Sequence, residues 1–514
     1  MKKFFCALVL MTAVVGGGKV YAQFTNNNWC FGDSAGINFT PPMSFFKSGS
    51  SFIRAGCSSI SDSLGNLIFY GASGNTTNSH NGLIRMGKLF NRNHNKLFNG
   101  DTLVGGEWYH DMIILPKSVT DSTFYVIMAG VVVPDTGLFY CVVDMKLQGG
   151  LGQVVQKNVQ IENHPVQDML AAVRHGNGRD WWLVTRRWTY APGYIPNNEF
   201  WVYKLDSSGI YPRAVQYIGA SHFDAAGDMS FNTNGDKLVL SGWGSYLGIF
   251  NFNRCLGTLS SQMLVEPHAP PGGPFKYYHA AVFFPDGNRL YAISNQQQYN
   301  IWSKLYQFDL TAANIPASRV LVDSLPLDAG PAGMELAPDG KIYISSAYIG
   351  LGSGWPYPPT CWNSINENLS VINQPDSLGL ACDFQPFSFY LGGARTYYGL
   401  PNNPDYELGA WVGSPCDTLS VGVDDNVPEQ EVFFQAWYNS EWNMIHVNAS
   451  KLKGRAGSLR LFDMEGRLVF EKKVEVISGG YVTGEIPMNG VVNGVYLVNL
   501  ITDSESVSSK LVKF

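Results

Sequence analysis

A turn followed by a short apolar-aromatic strand recurs six times along this chain, and few architectures accommodate that repetition. The copies are Ser63-Leu-Gly-Asn-Leu-Ile-Phe-Tyr70, Asp121-Ser-Thr-Phe-Tyr-Val-Ile-Met128 and Gly178-Arg-Asp-Trp-Trp-Leu-Val-Thr185. They continue as Asn234-Gly-Asp-Lys-Leu-Val-Leu240, Asp286-Gly-Asn-Arg-Leu-Tyr-Ala-Ile293 and Asp339-Gly-Lys-Ile-Tyr-Ile344, at intervals of roughly fifty to sixty residues. A strand precedes each turn, as in Ala280-Ala-Val-Phe-Phe-Pro-Asp-Gly287 and Met334-Glu-Leu-Ala-Pro-Asp-Gly340. Pro-Asp-Gly supplies one fixed φ and then a residue that tolerates positive φ, which a tight hairpin requires. Later strands end in an acid or amide, as in Phe200-Trp-Val-Tyr-Lys-Leu-Asp206 and Lys304-Leu-Tyr-Gln-Phe-Asp309. A four-stranded unit at this period is a propeller blade. The chain is therefore read as all-β: a β-propeller over 23–412, followed by a smaller β-sandwich. Seven blades are expected, with Trp29–Phe39 and Ala381–Tyr390 sharing one blade to close the ring; six is the alternative.

Gly 55, Trp 13, Tyr 26 and Phe 30 suit a turn-rich, aromatic β-protein. At the start, Met1-Lys2-Lys3, an apolar run over Phe4–Val15 and Val20-Tyr21-Ala22 describe a signal peptide (1–22) cut between Ala22 and Gln23. Its apolar run is too short to anchor in a bilayer, and no later transmembrane segment is expected. Removing Lys2, Lys3 and Lys19 moves the formal charge from −6 to −9. With only 15% charged residues, such a chain lacks the clustered Lys and Arg that nucleic acid demands. Residues 413–430, rich in Ser, Gly, Pro and acids, read as a linker. Short strands then fill 431–514, enough for a small sandwich. Of the cysteines, Cys361 and Cys382 are the pair expected to form a disulfide, and none has zinc-like spacing.

Several phrases carry family resemblances. Trp29–Phe39, Gly56–Tyr70, Phe90-Asn-Arg-Asn-His94, Val173–Thr185, Leu336–Tyr343 and Tyr398-Gly-Leu-Pro401 resemble the secreted WD40-like propeller family of gliding-type bacteria. No PKD module, frequent in that family, is apparent here. Gly494, Tyr496 and Leu497, followed by Lys510, Leu511, Val512 and Lys513 at the very end, resemble the C-terminal sorting domain of type IX secretion cargo. That resemblance implies passage through the periplasm, engagement of the type IX machinery, and a destination outside the cell or on its outer surface.

The chain has no Gly-x-Ser-x-Gly elbow, His-Glu-x-x-His, P-loop or calcium loop. The repeat does define one constellation. Aligning the strands ahead of the six turns places Gly56, Asp111, Asp168, Asp228, His279 and Gly333 at equivalent positions, near His110 and Tyr278. On innermost strands these residues would ring one mouth of the central channel. Three carboxylates and a histidine there could hold a calcium ion or orient a polar ligand; no other cofactor is expected. The plainer reading is that each Asp bonds the backbone of a neighbouring blade. Trp188, Tyr190 and Tyr194 lie in a Pro/Gly-rich loop where stacking on a partner is credible. Two functions remain open: a non-catalytic surface module binding an unknown protein or glycan, or a glycan-active hydrolase or lyase with its site at the channel mouth.

Overall fold

The computed structural model describes Phe24–Lys513, apart from residues 51–52, 78–82, 107–108, 119–121, 133–134, 190–195, 223–226, 243–245, 267–277, 295–301, 351–356, 418–432, 440–442, 451, 454–455 and 477–481. The expected signal peptide with Ala22 and Gln23, most of the expected linker, Tyr190 and Tyr194 all lie outside the described residues. The chain divides into two compact units, Met1–Ser420 and Val421–Phe514.

Among the described residues of the first unit, seven antiparallel blade sheets succeed one another along the chain, with a two-stranded pair, Asn75–Thr77 and Leu83–Arg85, set within the second. Blade 1 is Asn28–Phe31, Ala35–Asn38 and Ser44–Lys47, and blade 2 is Cys57–Ser61, Leu67–Ala72 and Lys88–Asn91. Blades 3 to 7 have four strands each, opening with Met112–Pro116, Ala171–Arg174, Gly227–Phe231, Tyr278–Phe283 and Ala329–Leu336. The six repeated phrases are the second strands of blades 2 to 7. Gly287 (φ 73°) and Gly340 (φ 78°) turn the chain after two Pro-Asp pairs, in a region that costs other residues strain.

Each sheet alternates side chains between its two faces, so every blade must bury both against its neighbours. One core joins blades 2, 3 and 4 through Phe69, Phe124 and Trp181. Phe200 meets Phe250 at 5.1 Å between blades 4 and 5, Ile249 and Phe308 share the next core, and Ile293 and Ile344 the one after. The ring closes where Tyr343 of blade 7 packs on Trp29 and Phe39 at 5.9 and 5.7 Å. Edge-to-face pairs like these contribute about 0.5–1.5 kcal/mol each beyond their buried area.

The closure differs from the expected one. Phe384–Tyr390 pairs with Asn368–Ile372 as the outer strand of blade 7, while Trp29 opens a blade that has its own partners. Among the described residues the two sheets share no strand; an antiparallel backbone bridge between Asp33 and Arg395, their ion pair at 2.5 Å and side-chain packing link the ends. The cysteine expectation also fails. Cys361 and Cys382 are both free, Cys382 being buried between blades 6 and 7. The disulfide joins Cys255 to Cys416, with Cα atoms 5.4 Å apart. Cys416 lies in the stretch expected as linker, so that stretch begins bonded to the propeller.

The second unit is a seven-stranded sandwich. Phe433–Asn439, Met444–Ser450 and Val482–Pro487 form one sheet. Leu468–Glu475, Ala456–Asp463, Gly494–Thr502 and Ser506–Lys513 form the other. Between them Ile445, Val447, Leu459, Leu461, Val498 and Leu500 are buried.

Candidate functional site

The repeat register of the polar positions holds. Asp111 and Asp168 lie just ahead of the inner strands of blades 3 and 4, and Asp228 and His279 are second residues of those of blades 5 and 6. All four are buried. In blade 2 the position must be glycine, because a Cβ on Gly56 would lie 1.6 Å from Asp111 Oδ1.

These groups bond to residues just ahead of the inner strand of blade 3, Gly106, Tyr109 and His110. Asp111 accepts from Ser73 Oγ at 2.7 Å and from the Gly106 amide at 2.5 Å. Asp168 accepts from the Tyr109 amide at 3.2 Å, and the Tyr109 hydroxyl meets His279 Nδ1 at 3.0 Å. Asp228 forms an ion pair with His110 Nδ1 at 2.8 Å and accepts from the Ala281 amide at 3.3 Å. The plainer sequence reading, backbone and cross-blade bonding, is what the geometry shows for these carboxylates. Among the described residues no three His, Cys, Asp or Glu side chains assemble to hold a metal ion. Tyr278 does not join the group, because alternation turns it from the His279 face into the core between blades 5 and 6. Trp188 is half-buried, its amide bonded to the Pro165 carbonyl.

Sequence reasoning missed Glu335. It lies two residues beyond Gly333 on the inner strand of blade 7, so the same face carries it one layer deeper. Its Oε1 lies 3.5 Å from His110 Nε2, making an Asp228–His110–Glu335 series. Burial pushes the Glu335 carboxyl up to about 8, against the pull of His110. Burial alone would lower His110, yet Asp228, then Glu335 and Asp168, hold it up at about 9. Burial lowers His279 to about 4, leaving it neutral beside Tyr109. His110 and Glu335 line a cavity of about 90 Å³.

The far wall of that cavity is the chain itself. After blade 7, residues 398–411 run the length of the inner strands. The Tyr398 amide bonds Arg54 O, ahead of the inner strand of blade 2. Asn402 donates to Leu170 O at 2.9 Å and Asn403 accepts from the Ser59 amide at 2.9 Å. The Tyr406 hydroxyl donates to Ile114 O at 2.9 Å, and Arg174 donates to Tyr406 O at 3.2 Å. Leu408 packs in the core of blades 4 and 5, and the Trp411 amide bonds Gly176 O, in the turn that ends the inner strand of blade 4. This strap lies along the inner strands, bonded to blades 2, 3 and 4, and Cys255–Cys416 fastens its end. Only long-range pairing could have announced it; its Asn-Asn-Pro-Asp sequence reads as an ordinary loop.

A second recurrent device ties neighbouring blades at their outer strands. Glu162, ending the last strand of blade 3, pairs with Arg213, which precedes the last strand of blade 4. Glu266 and Arg319 repeat the arrangement in blades 5 and 6. Each guanidinium lies over an aromatic ring, Trp201 at 4.3 Å and Tyr306 at 5.1 Å.

In the second unit the expected sorting residues fall on one hairpin, where Tyr496 pairs with Leu511, Leu497 with Lys510 and Gly494 with Lys513. Tyr496, Leu511 and Lys513 turn inward, Lys513 donating to Met488 O at 2.9 Å and to Val491 O at 2.6 Å. Leu497, Lys510 and Val512 face solvent. Residues 440–513 match the Secretion system C-terminal sorting domain. The chain thus carries a type IX sorting domain, which directs it through the secretion machinery to the cell surface or beyond it. Among the described residues no helix is long and apolar enough to cross a membrane.

No curated protein is matched by the sequence. Among solved structures, a quinonprotein alcohol dehydrogenase-like protein from Bacteroides thetaiotaomicron is similar over 74% of this chain and 78% of its own, at 10% identity and a TM-score of 0.39. The periplasmic gluconolactonase PpgL of Pseudomonas aeruginosa is similar over 82% and 99%, at 11% identity and 0.35. PorZ, a surface component of the type IX secretion system of Porphyromonas gingivalis, is similar over 93% and 62%, at 14% identity and 0.33.

Proposed function

We propose that this type IX cargo is a non-catalytic surface module whose propeller presents its outer faces to a protein or glycan. One observation carries the reading: the strap 398–411 lies along the inner strands, where a propeller would place a reactive site, and the acid–base groups beside it are spent on one another. An active site needs a converging acid and base with room for a reacting atom. Here His110 pairs directly with Asp228 and lies 3.5 Å from Glu335, beside a cavity of about 90 Å³, well below the roughly 300–1,000 Å³ of small-ligand sites.

A specific feature favours the runner-up, a hydrolase or lyase. Glu335, with its carboxyl near 8, would be protonated at neutral pH and able to donate a proton. Incubating the full-length protein with polysaccharides and peptides and assaying for new ends separates the two. Saturable binding without new ends is the expected result. New ends that vanish in Glu335→Gln would replace the binding reading with the enzymatic one.

A further inference from the structure

A groove lies away from the inner strands, between the outer strands of blades 3 and 4. It encloses about 540 Å³, within the roughly 300–1,000 Å³ of small-ligand sites. Tyr140, Gln160 and Glu162 line it from blade 3; Tyr203, Tyr211 and Arg213 line it from blade 4. Tyr203 is only 1% exposed, and its buried hydroxyl meets no hydrogen-bonding partner among the described residues. Burying a hydroxyl unpaired costs free energy, and native cores rarely keep one without use.

The repeat provides an internal comparison. Trp181 pairs with Leu205 in blade 4 and Leu290 with Phe308 in blade 6, each three residues after a turn glycine, so Tyr203 corresponds to Tyr306, a second tyrosine, whose ring lies under Arg319. Tyr203 itself lines the groove wall.

We propose that this groove binds a neutral oligosaccharide, a commitment that rests on the surface-binding reading above. Tyr211, 44% exposed, offers a ring on which a pyranose can stack. The Tyr203 hydroxyl and the amide oxygen of Gln160, whose nitrogen already donates to Thr136 O, offer the polar contacts that orient sugar hydroxyls. Glu162 and Arg213 neutralise each other, so the groove gives no advantage to a charged ligand. An extended peptide is the weaker occupant. The last strand of blade 3 shows three register shifts against its neighbour, and such bulges spoil an edge as a template for strand addition.

The test is calorimetric titration of the full-length protein with cellohexaose, xylohexaose and mannohexaose, alongside a galacturonate oligomer and an unrelated extended peptide. At least one neutral hexaose should bind. Its affinity should fall about tenfold in Tyr211→Ala through lost stacking, and about fivefold in Tyr203→Phe through one lost hydrogen bond. The melting temperature of Tyr203→Phe should hold or rise, which a merely structural hydroxyl would not allow. Failure of all three neutral probes at millimolar concentration, binding of the acidic oligomer or the peptide alone, or wild-type affinity in both variants would each overturn the assignment. Binding that persists in both variants would locate the ligand elsewhere and leave the surface-module reading intact; new sugar ends would sink that reading instead.

Discussion

Replacing both Cys255 and Cys416 by serine should destabilise the propeller measurably and leave its fold intact. The bond closes a loop with a sequence separation of 161 residues, spanning the end of blade 5, all of blades 6 and 7, and the strap. In the chain-entropy model such a loop is worth about 5 kcal/mol, and measured values for native bonds run lower, at about 2–4 kcal/mol. The lower range fits here, because Arg174, Arg254 and Gly176 still hold the strap by hydrogen bonds to Tyr406, Gly409 and Trp411 after the sulfurs are gone. At ~2.1 cal/mol/K per residue, a unit of roughly 400 residues has an unfolding entropy near 0.8 kcal/mol/K. A loss of about 3 kcal/mol then lowers the melting temperature by about 4 °C. Differential scanning calorimetry of the full-length variant, beside wild-type protein with and without reductant, measures it. Reduced wild type should melt with the variant. A variant melting within about 1 °C of oxidised wild type would refute the claim that the bond constrains the ring, and a reduced wild type that stayed high would show the serines act otherwise.

Other outcomes follow from the same contacts. Tyr406→Ala should cost about 3–5 kcal/mol, as for a buried aromatic truncation, with Tyr406→Phe nearer 1 kcal/mol; chemical denaturation distinguishes them. Stability should fall as pH rises from about 5 to 9. Folded His110 keeps its proton to about 9 against an ordinary 6.5, so its contribution is full below 6.5 and gone above 9. Glu335 keeps its proton to about 8 against 4.5, so the folded state loses ground across that interval too. The summed loss is on the order of a few kcal/mol, and melting Glu335→Gln over the same range should give a shallower slope. Deleting Gly494–Phe514 should strand the protein in the periplasm; surface labelling at wild-type levels would remove the sorting role from this hairpin.

The blades were legible because their signal is local: a turn, an apolar strand and a fixed period, repeated often enough to outweigh any single ambiguity. The same register brought Asp111, Asp168, Asp228 and His279 into correspondence, since equivalent positions on equivalent strands face the same way. What their side chains meet was hidden. Gly106, Tyr109 and His110 lie outside the repeated phrases, so no repeat could predict their contacts. Glu335 escaped because the alignment stopped at Gly333, one layer above. The strap and its disulfide are long-range pairings, and sequence proximity favoured Cys361 with Cys382 although Cys382 is enclosed by blade 6 and 7 side chains. Closure of the ring failed for a related reason, because Ser44–Lys47 completes blade 1 without help from residues 384–390.

The Cys255–Cys416 bond also decides how the molecule bears tension. Under the surface-binding reading proposed above, a propeller holding a fixed target would be pulled at its C-terminal end. Force entering at Cys416 crosses the sulfurs to Cys255 and passes directly toward blades 4 and 3, where the tyrosine groove lies. Blades 6 and 7 and the strap hang from that covalent path as a slack side loop, shielded from the load. With the bond broken, the covalent path from Cys416 back to Cys255 would instead run through the strap and blades 7 and 6.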